Sequence, residues 1–356
     1  MKIAAFTTVF NEPIFLPLWL GHYGRELGRE NLFVLDDGSA DGSTSRLTGG
    51  ANVVRLARAK RRDEDDRALL ISRCQATLLR RYDVVIYVDS DEFLIPDPAR
   101  FSGLRHFIEQ KSGPFMNAVG VDLIHVPELE PGLDLTRPVL SQRSFARFSG
   151  PYCKPAISRI PLRYEAGFHA CQHAPRFDPD LYLFHLKRLD ENLARARLRA
   201  QPVVWSAQAL EKGHGEDHRL GEDGFIARHF NLSAAEVYGL AEGFDFSEEI
   251  AVSAAVSPKA YNPREGKVVR IPARFRASIE PACFVEDCGS GSRSLRMALH
   301  LTVMKHRMWL GLRRAKHAAD RLIGGIPPLR RTKPAATGES YHHSPLIGDS
   351  DHAMEG

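Results

Sequence analysis

Apolar residues arrive in short blocks through the first 125 positions, and the blocks alternate between two periods. "KIAAFTTVF" (2–10), "NLFVLDD" (31–37), "NVVRLA" (52–57) and "DVVIYVDSD" (83–91) are rich in aliphatic and β-branched residues and predict strands. Near-continuous runs such as Val84 to Val88 fit a sheet covered on both faces. Between them, "EPIFLPLWLGHYGREL" (12–27), with Pro13 near its first turn, and "RALLISRCQATLLRRY" (67–82) predict helices. "FIEQ" (107–110) reads as helix and "NAVGVDLIHV" (117–126) as strand. Strands separated by helices in this rhythm predict right-handed βαβ units and an α/β fold with a mostly parallel sheet.

Beyond Pro127 the pattern changes. "ELEPGLDLTRP" (128–138) is a Pro/Gly loop, and "RSFARFSGPYCKPAISRIPL" (143–162) reads as loop and short antiparallel strand. "DLYLFHLKRLD" (180–190) is a further strand, followed by a helix over "RLDENLARARLRA" (188–200). Residues 202–224 are polar with a poor helical period, and Ser233 to Glu236 has the capping-box spacing that starts a helix. The expected organisation is a catalytic-type domain over 1–235, divided near 125, and a helical or irregular extension over 236–293. A basic amphipathic helix over 294–323 and a disordered tail over 324–356 complete it. In that helix Met297, Leu301, Met304, Met308, Leu312 and Ala315 recur at helical spacing. Arg296, Lys305, Arg307, Arg313, Arg314, Lys316 and Arg321 oppose Asp320 alone. Such a helix suits an anionic membrane surface with Trp309 at the interface, or packs on the domain with its basic side in water.

Composition narrows the function classes. The 356 residues are 43% hydrophobic, enough for a substantial core, and a formal net charge of +4 is too small for a general nucleic-acid binder. No secretory signal is read at the start, and no apolar run reaches the 18 or so residues that span a bilayer. Five cysteines without a CxxC pair predict reduced thiols in a cytoplasmic protein. The alternating charges of "ARAKRRDEDDR" (57–67) predict a solvated segment.

Chemistry concentrates where two strands end. Asp36 and Asp37 close "NLFVL", and Asp89, Asp91 and Glu92 follow "VVIYV". Carboxylates this close repel one another and are costly to bury, so a positive partner is expected beside them. Ligands of open α/β sheets bind beyond the carboxyl ends of strands. If the chain stays extended, Asp89 and Asp91 face one site. Hard oxygen ligands suit Mg²⁺ or Mn²⁺ carrying a diphosphate.

"TTVFNEPIFLPLWLGHY", "VLDDGSADGST" and "VIYVDSDEFLI", in that order, resemble the nucleotide-sugar-binding half of family-2-like glycosyltransferases of the GT-A fold, over roughly residues 1–190. The resemblance implies that Thr8, Asn11, Glu12, Asp36 and Asp37 hold the base and ribose of a nucleoside diphosphate. Arg73 stands where that family has an Arg-Asn pair, with Cys74 in place of the Asn. Asp89 and Asp91 match the metal motif, the first nearer the ribose and the second on the ion. His185 is the candidate third ligand, and Lys187 on the same strand face is expected to reach a phosphate. An inverting transfer needs a base near the acceptor hydroxyl, and the family's usual acidic signature for it is absent. Glu165 and Asp122 lead the candidates, with Glu128, Asp178 and His169 behind them.

The implied function is metal-dependent transfer of a sugar from a nucleotide diphosphate donor to a glycan or lipid-linked acceptor in cell-surface polysaccharide synthesis. Two alternatives stay open. One is a catalytically inactive glycan-binding or membrane scaffold. The other is a sugar nucleotidyltransferase, which would want a Gly-rich, basic loop that "TTVFNEP" lacks.

Overall fold

Between the first and last residues of β1 (Ile3–Val9) every side chain but one is buried, as a strand covered on both faces requires. The protein is described from a computed structural model, covering residues 1–46, 50–56, 61–213, 215–256, 266–281 and 293–324. After β1 come α1 (Phe15–Leu27), β2 (Leu32–Asp36), α2 (Ser43–Arg46), β3 (Asn52–Arg55), α3 (Glu64–Leu78), β4 (Val84–Tyr87), β5 (Glu92–Pro96), α4 (Leu104–Gln110) and β6 (Phe115–Ile124). The second half holds β7 (Phe145–Phe148), β8 (Ile157–Ser158), β9 (Phe177–His185), α5 (Glu191–Ala200), α6 (Ala207–Glu211), α7 (Glu216–Arg219), α8 (Gly221–His229), α9 (Ala234–Val237), α10 (Ser247–Val256), β10 (Val268–Arg270) and α11 (Arg293–Gly324).

The sheet runs β10-β7-β6-β8-β4-β1-β2-β3, with β9 pairing both β6 and β5. β4, β1, β2 and β3 are parallel neighbours, the mixed α/β architecture expected. The other half is largely antiparallel: β8 is wedged between β4 and β6, β7 and β10 extend the edge, and β5 pairs β9. β6 meets a parallel partner only in β9. The chain goes from β1 to β2 on one side, whereas β4 lies on the other side of β1. That places a topological switch point, with its crevice, at the carboxyl ends of β1 and β4.

The cores lie on the two sheet faces. One gathers α1 and α4 residues such as Trp19, Leu20 and Phe107 under Ile86, Val119 and Leu183. The other joins Phe6, Phe33 and Tyr87 to Ile71 and Leu78 of α3 and to Leu295, Leu299 and Val303 of α11. The packing stripe of α11 is therefore not the one that the apolar spacing picked out. Met297, Leu301, Met304 and Met308 are instead exposed, Met308 at 65%. The chain divides into two compact units, Met1–Met308 and Trp309–Gly356. In the second, Arg313 lies over the ring of Trp309. Among the described residues no helix is long and apolar enough to cross a membrane. The tail predicted disordered lies outside the described residues apart from Gly324, as do Cys283 and Cys288.

Of the run 57–67, residues 57–60 lie outside the described residues, and 61–67 is not simply a solvated segment. Asp63 caps α3 by accepting from the backbone of Asp65 and Asp66, and the acids behind it fill the first turn, where the helix dipole favours them. Glu64 is buried between Arg62 and Arg67. Burial alone would raise its pKa, but the two guanidiniums bring it down to about 2.

Candidate active site

The strand "DVVIYVDSD" stops early. β4 ends at Tyr87, and the chain turns at Ser90–Asp91 before β5 begins at Glu92. The turn is closed by the Glu92 backbone N–H donating to the Asp89 carbonyl at 3.1 Å. The Asp89 N–H donates to Glu92 Oε2 at 2.8 Å. Extended geometry does not persist, so Asp89 and Asp91 turn to different partners. Asp89 accepts from the Tyr87 hydroxyl at 3.1 Å and from Lys154 Nζ at 3.2 Å. Asp91 pairs with Arg197 at 2.5 Å and lies 3.7 Å from His185 Nε2.

The positive partners that the acids require are therefore side chains. Lys154, itself buried, bridges Asp89 and Glu92, the latter at 2.5 Å. Arg197 bridges Asp91 and Glu12. Burial favours the neutral acid throughout the group. At Asp91 it is outweighed by Arg197 and then His185, which hold the carboxyl well below the usual range. At Asp89 it is outweighed by Lys154 and Arg67. At Glu92 burial wins against Lys154, with help from the Asp89 charge, and the pKa rises.

His185 ends β9 and lies in a transverse row. Strand register sets Glu92, His185, Asp122 and Arg147 side by side on β5, β9, β6 and β7. Directly paired residues project from the same face, so the row is one polar strip across an apolar sheet. Within it Asp122 accepts from His185 Nδ1 at 2.5 Å and from Arg188 at 2.7 Å. Burial raises the Asp122 pKa, but Arg188 and His185 more than reverse this, and the carboxylate is ionised. It holds the ring through Nδ1, which leaves Nε2 on the side toward Asp91.

The covering segment depends on a glycine. A Cβ on Gly120 would stand 2.4 Å from the carbonyl carbon of Tyr152 and 2.7 Å from the Ser149 oxygen. Only a bare Cα lets residues 149–154 cross β6 so closely. That crossing stacks Tyr152 on the His185 ring at 3.8 Å and delivers Lys154 to the acids.

The first strand loop is also built in. Thr8 accepts from Arg67 Nη2 at 3.0 Å. Glu12 is buried, accepting from Phe15 N–H as well as from Arg197 and Gln201. Asn11, with φ +47°, accepts from Ala40 N–H and donates to the Ala200 carbonyl. Asp36 is spent on its own turn, accepting from Ser39 N–H at 2.8 Å and Thr44 Oγ1 at 2.9 Å. Asp37 is half-buried beside it. Arg197 and Gln201 thus fill the crevice between β1 and β4 in this conformation.

Other expected residues lie apart from this centre. Arg73 leaves α3 on the side away from Arg67, six residues or one and two-thirds turns on, and meets His306 of α11 at 2.9 Å. Lys187 pairs with Asp217 at 3.0 Å and lies over the Phe225 ring. Glu165 lines a cavity of about 150 Å³ with Asn117, His169 and His173. That cavity borders Tyr152 through His169, whose ring is 6.2 Å from it. Asp178 pairs with Lys111, and Glu128 accepts from Ala234 N–H, both away from the row.

Sequence reading missed Lys154, Arg67, Arg188, Tyr152 and Arg197. One signal was available for Arg197. Arg195 and Arg199, four apart, share a helix face and pair with Glu222, whereas Arg197 stands about 200° away from each and points inward.

No family model and no curated protein matches the chain. Solved structures do. Glucosyl-3-phosphoglycerate synthase from Mycobacterium tuberculosis, in complex with Mn²⁺, uridine-diphosphate and glucosyl-3-phosphoglycerate, is 24% identical with a TM-score of 0.20. That match covers 26% of this chain and 34% of that one. The same enzyme with Mn²⁺, uridine-diphosphate and phosphoglyceric acid is 19% identical over 38% of this chain and 45% of that one, with a TM-score of 0.22. A mannose-1-phosphate geranyltransferase from Thermus thermophilus is 12% identical over 76% of this chain and 73% of that one, with a TM-score of 0.24. The chain thus spans less than half the length of the synthase structures, and the reading of the site rests on its own geometry.

Proposed function

We propose that this protein is a nucleotide-sugar transferase of GT-A type that moves a sugar from a nucleoside diphosphate donor to a glycan or lipid-linked acceptor. The observation that carries the reading is the aligned group Asp91–His185–Asp122 beside the switch-point crevice. Asp91 Oδ2 and His185 Nε2 lie 3.7 Å apart, and Asp122 holds the imidazole from behind. A carboxylate oxygen and an oriented imidazole nitrogen suit Mn²⁺ or Mg²⁺, which complete their shells with substrate phosphates. Among the described residues no cluster of three such groups is preassembled. A divalent ion held by Asp91 and His185 would supply charge neutralisation for the departing diphosphate.

The chain's own residues do the rest. Arg197 holds Asp91 and Glu12, and an ion on Asp91 would compete with it there, which would free its guanidinium for the donor phosphates. Lys154 stays on Asp89 and Glu92. Asp122 positions His185, and because both its oxygens are engaged it is a poor base. Glu165, beside an open cavity, is the proposed base of an inverting transfer. The exposed stripe Met297, Leu301, Met304 and Met308 next to Arg296, Lys305 and Arg307 supports association with an anionic membrane surface.

Calorimetric titration of Mn²⁺ and a panel of nucleoside diphosphates into the full chain tests the donor reading. Binding that requires the metal and disappears in Asp91→Ala supports it; metal-free binding, or binding unchanged in the variant, refutes it. The filled crevice favours a second reading, a binding protein without catalysis. It predicts no hydrolysis of any nucleotide sugar with manganese present, whereas the transferase reading predicts slow hydrolysis even without acceptor.

A further inference from the structure

Two guanidiniums beside the polar strip lack the acids that their burial calls for. Arg147 is the fourth member of the row and lies directly across from Asp122 on the same face. Among the described residues its side chain makes no hydrogen bond or ion pair, and its buried Nε has no partner, while Asp122 and Glu236 act on it only through space. Arg188, only 12% exposed, touches Asp122 through one nitrogen, while its Nε is likewise buried without a partner. Asp122 also serves His185, so one carboxylate faces two guanidiniums and an imidazole. The next acid outward, Asp217, is shared by Lys187, Arg228 and His229. Asp122 and Asp217 are thus each shared among several cations, and the next acid, Glu236, acts on Arg147 only from a distance. Burial and then the neighbouring Arg188 charge lower the Arg147 pKa, and Asp122 and Glu236 only partly offset them.

Buried donors are rarely left unmade without a reason. A pair of forked guanidiniums with free Nε–H groups matches the oxygens of phosphate or carboxylate. The geometry points to an oxyanion subsite formed by Arg147 and Arg188, which binds the phosphate or carboxylate group of an anionic acceptor next to His185. The acceptor assignment rests on the transferase reading; the oxyanion subsite does not. It narrows the acceptor to a charged molecule, held on the β7 side of the row while the donor lies on the β1 side.

Inorganic phosphate, and malonate in a second arm, would be titrated calorimetrically into the full chain. Saturating nucleoside diphosphate and Mn²⁺ would keep the donor site occupied. Arg147→Gln is expected to weaken binding of one of these anions at least about tenfold, with Arg147→Lys intermediate. Nucleoside diphosphate affinity should stay within about twofold of wild type, since Arg147 lies outside the donor crevice. Whichever anion binds names the acceptor group. Melting provides a separate readout: Arg147 makes no bond that Gln would break, so Arg147→Gln should melt at or above the wild-type temperature. A structural role would lower it. Failure of both anions to bind, or equal binding to wild type and Arg147→Gln, overturns the subsite. If the nucleoside diphosphate fails to bind while phosphate binds through Arg147, the subsite stands and the transferase reading falls.

Discussion

Lys154 carries one charge against two carboxylates in a place with almost no water, so its removal should be felt at once. Lys154→Met leaves the buried Glu92 beside the half-buried Asp89 with no cation between them, and urea unfolding should show a loss of about 3 kcal/mol. The sign of the pH dependence follows from Glu92, whose pKa is already raised by burial and will rise further without the lysine. A raised carboxyl binds protons more readily in the folded state, so the variant should regain stability as pH falls toward 5. Adding Glu92→Gln should recover part of the loss at pH 7. Arg197 makes the opposite kind of prediction. Arg197→Ala removes the cation that competes for Asp91, so Mn²⁺ alone should bind more tightly than to wild type, by about tenfold, while nucleoside diphosphate affinity with Mn²⁺ should fall. If both move in the same direction, Arg197 is not exchanging places with the ion.

The crossing of residues 149–154 over β6 is an element-level device, set by one missing side chain. Gly120→Ala places a methyl group inside the van der Waals shell of three backbone atoms. The segment must lift, at a cost of about 2 kcal/mol or more, and Tyr152 and Lys154 leave with it. Metal affinity should drop along with the melting temperature, although residue 120 touches neither acid. Beside the apolar contact of α3 with α11, Arg73 meets His306. Burial, reinforced by the Arg73 charge, lowers the His306 pKa from 6.5 to about 4. A depressed folded pKa means that this group's contribution is complete above about 6.5 and lost as pH falls toward 4, by up to about 3 kcal/mol. His306→Asn, which keeps an acceptor for Arg73, should flatten the unfolding free energy over that range. An unchanged slope would move the acid sensitivity elsewhere, His22 being the other buried histidine lowered to about 4.

For the molecule as a whole, α11 presents apolar residues on two sides. Leu295, Leu299 and Val303 belong to the core, so deleting the helix would unfold what it packs on. The membrane proposal is better tested by placing Ser at Met297, Leu301, Met304 and Met308 together. The fourfold variant should fold as wild type but lose co-sedimentation with vesicles containing anionic lipid; retained sedimentation would refute the proposal. Much of this architecture was legible beforehand. The parallel strands and their helices followed from period alone, and the acids at the strand ends marked the crevice. The antiparallel half was less legible, because short strands such as Ile157–Ser158 carry no periodicity to detect.

What the sequence determined by itself was local: which segments are strand or helix, that carboxylates close β4, and that His185 sits in a strand. Those features depend on side-chain period and on neighbours within a few residues. Tertiary structure alone decided which cations answer the acids, since Lys154 and Arg197 come from 62 and 106 positions beyond their nearest charge partners in Glu92 and Asp91. It also decided the alignment of Glu92, His185, Asp122 and Arg147, because strand register is a cooperative property of the assembled sheet. Charge compensation acts through space, and a linear pattern shows an unpaired residue without showing what folds back to meet it.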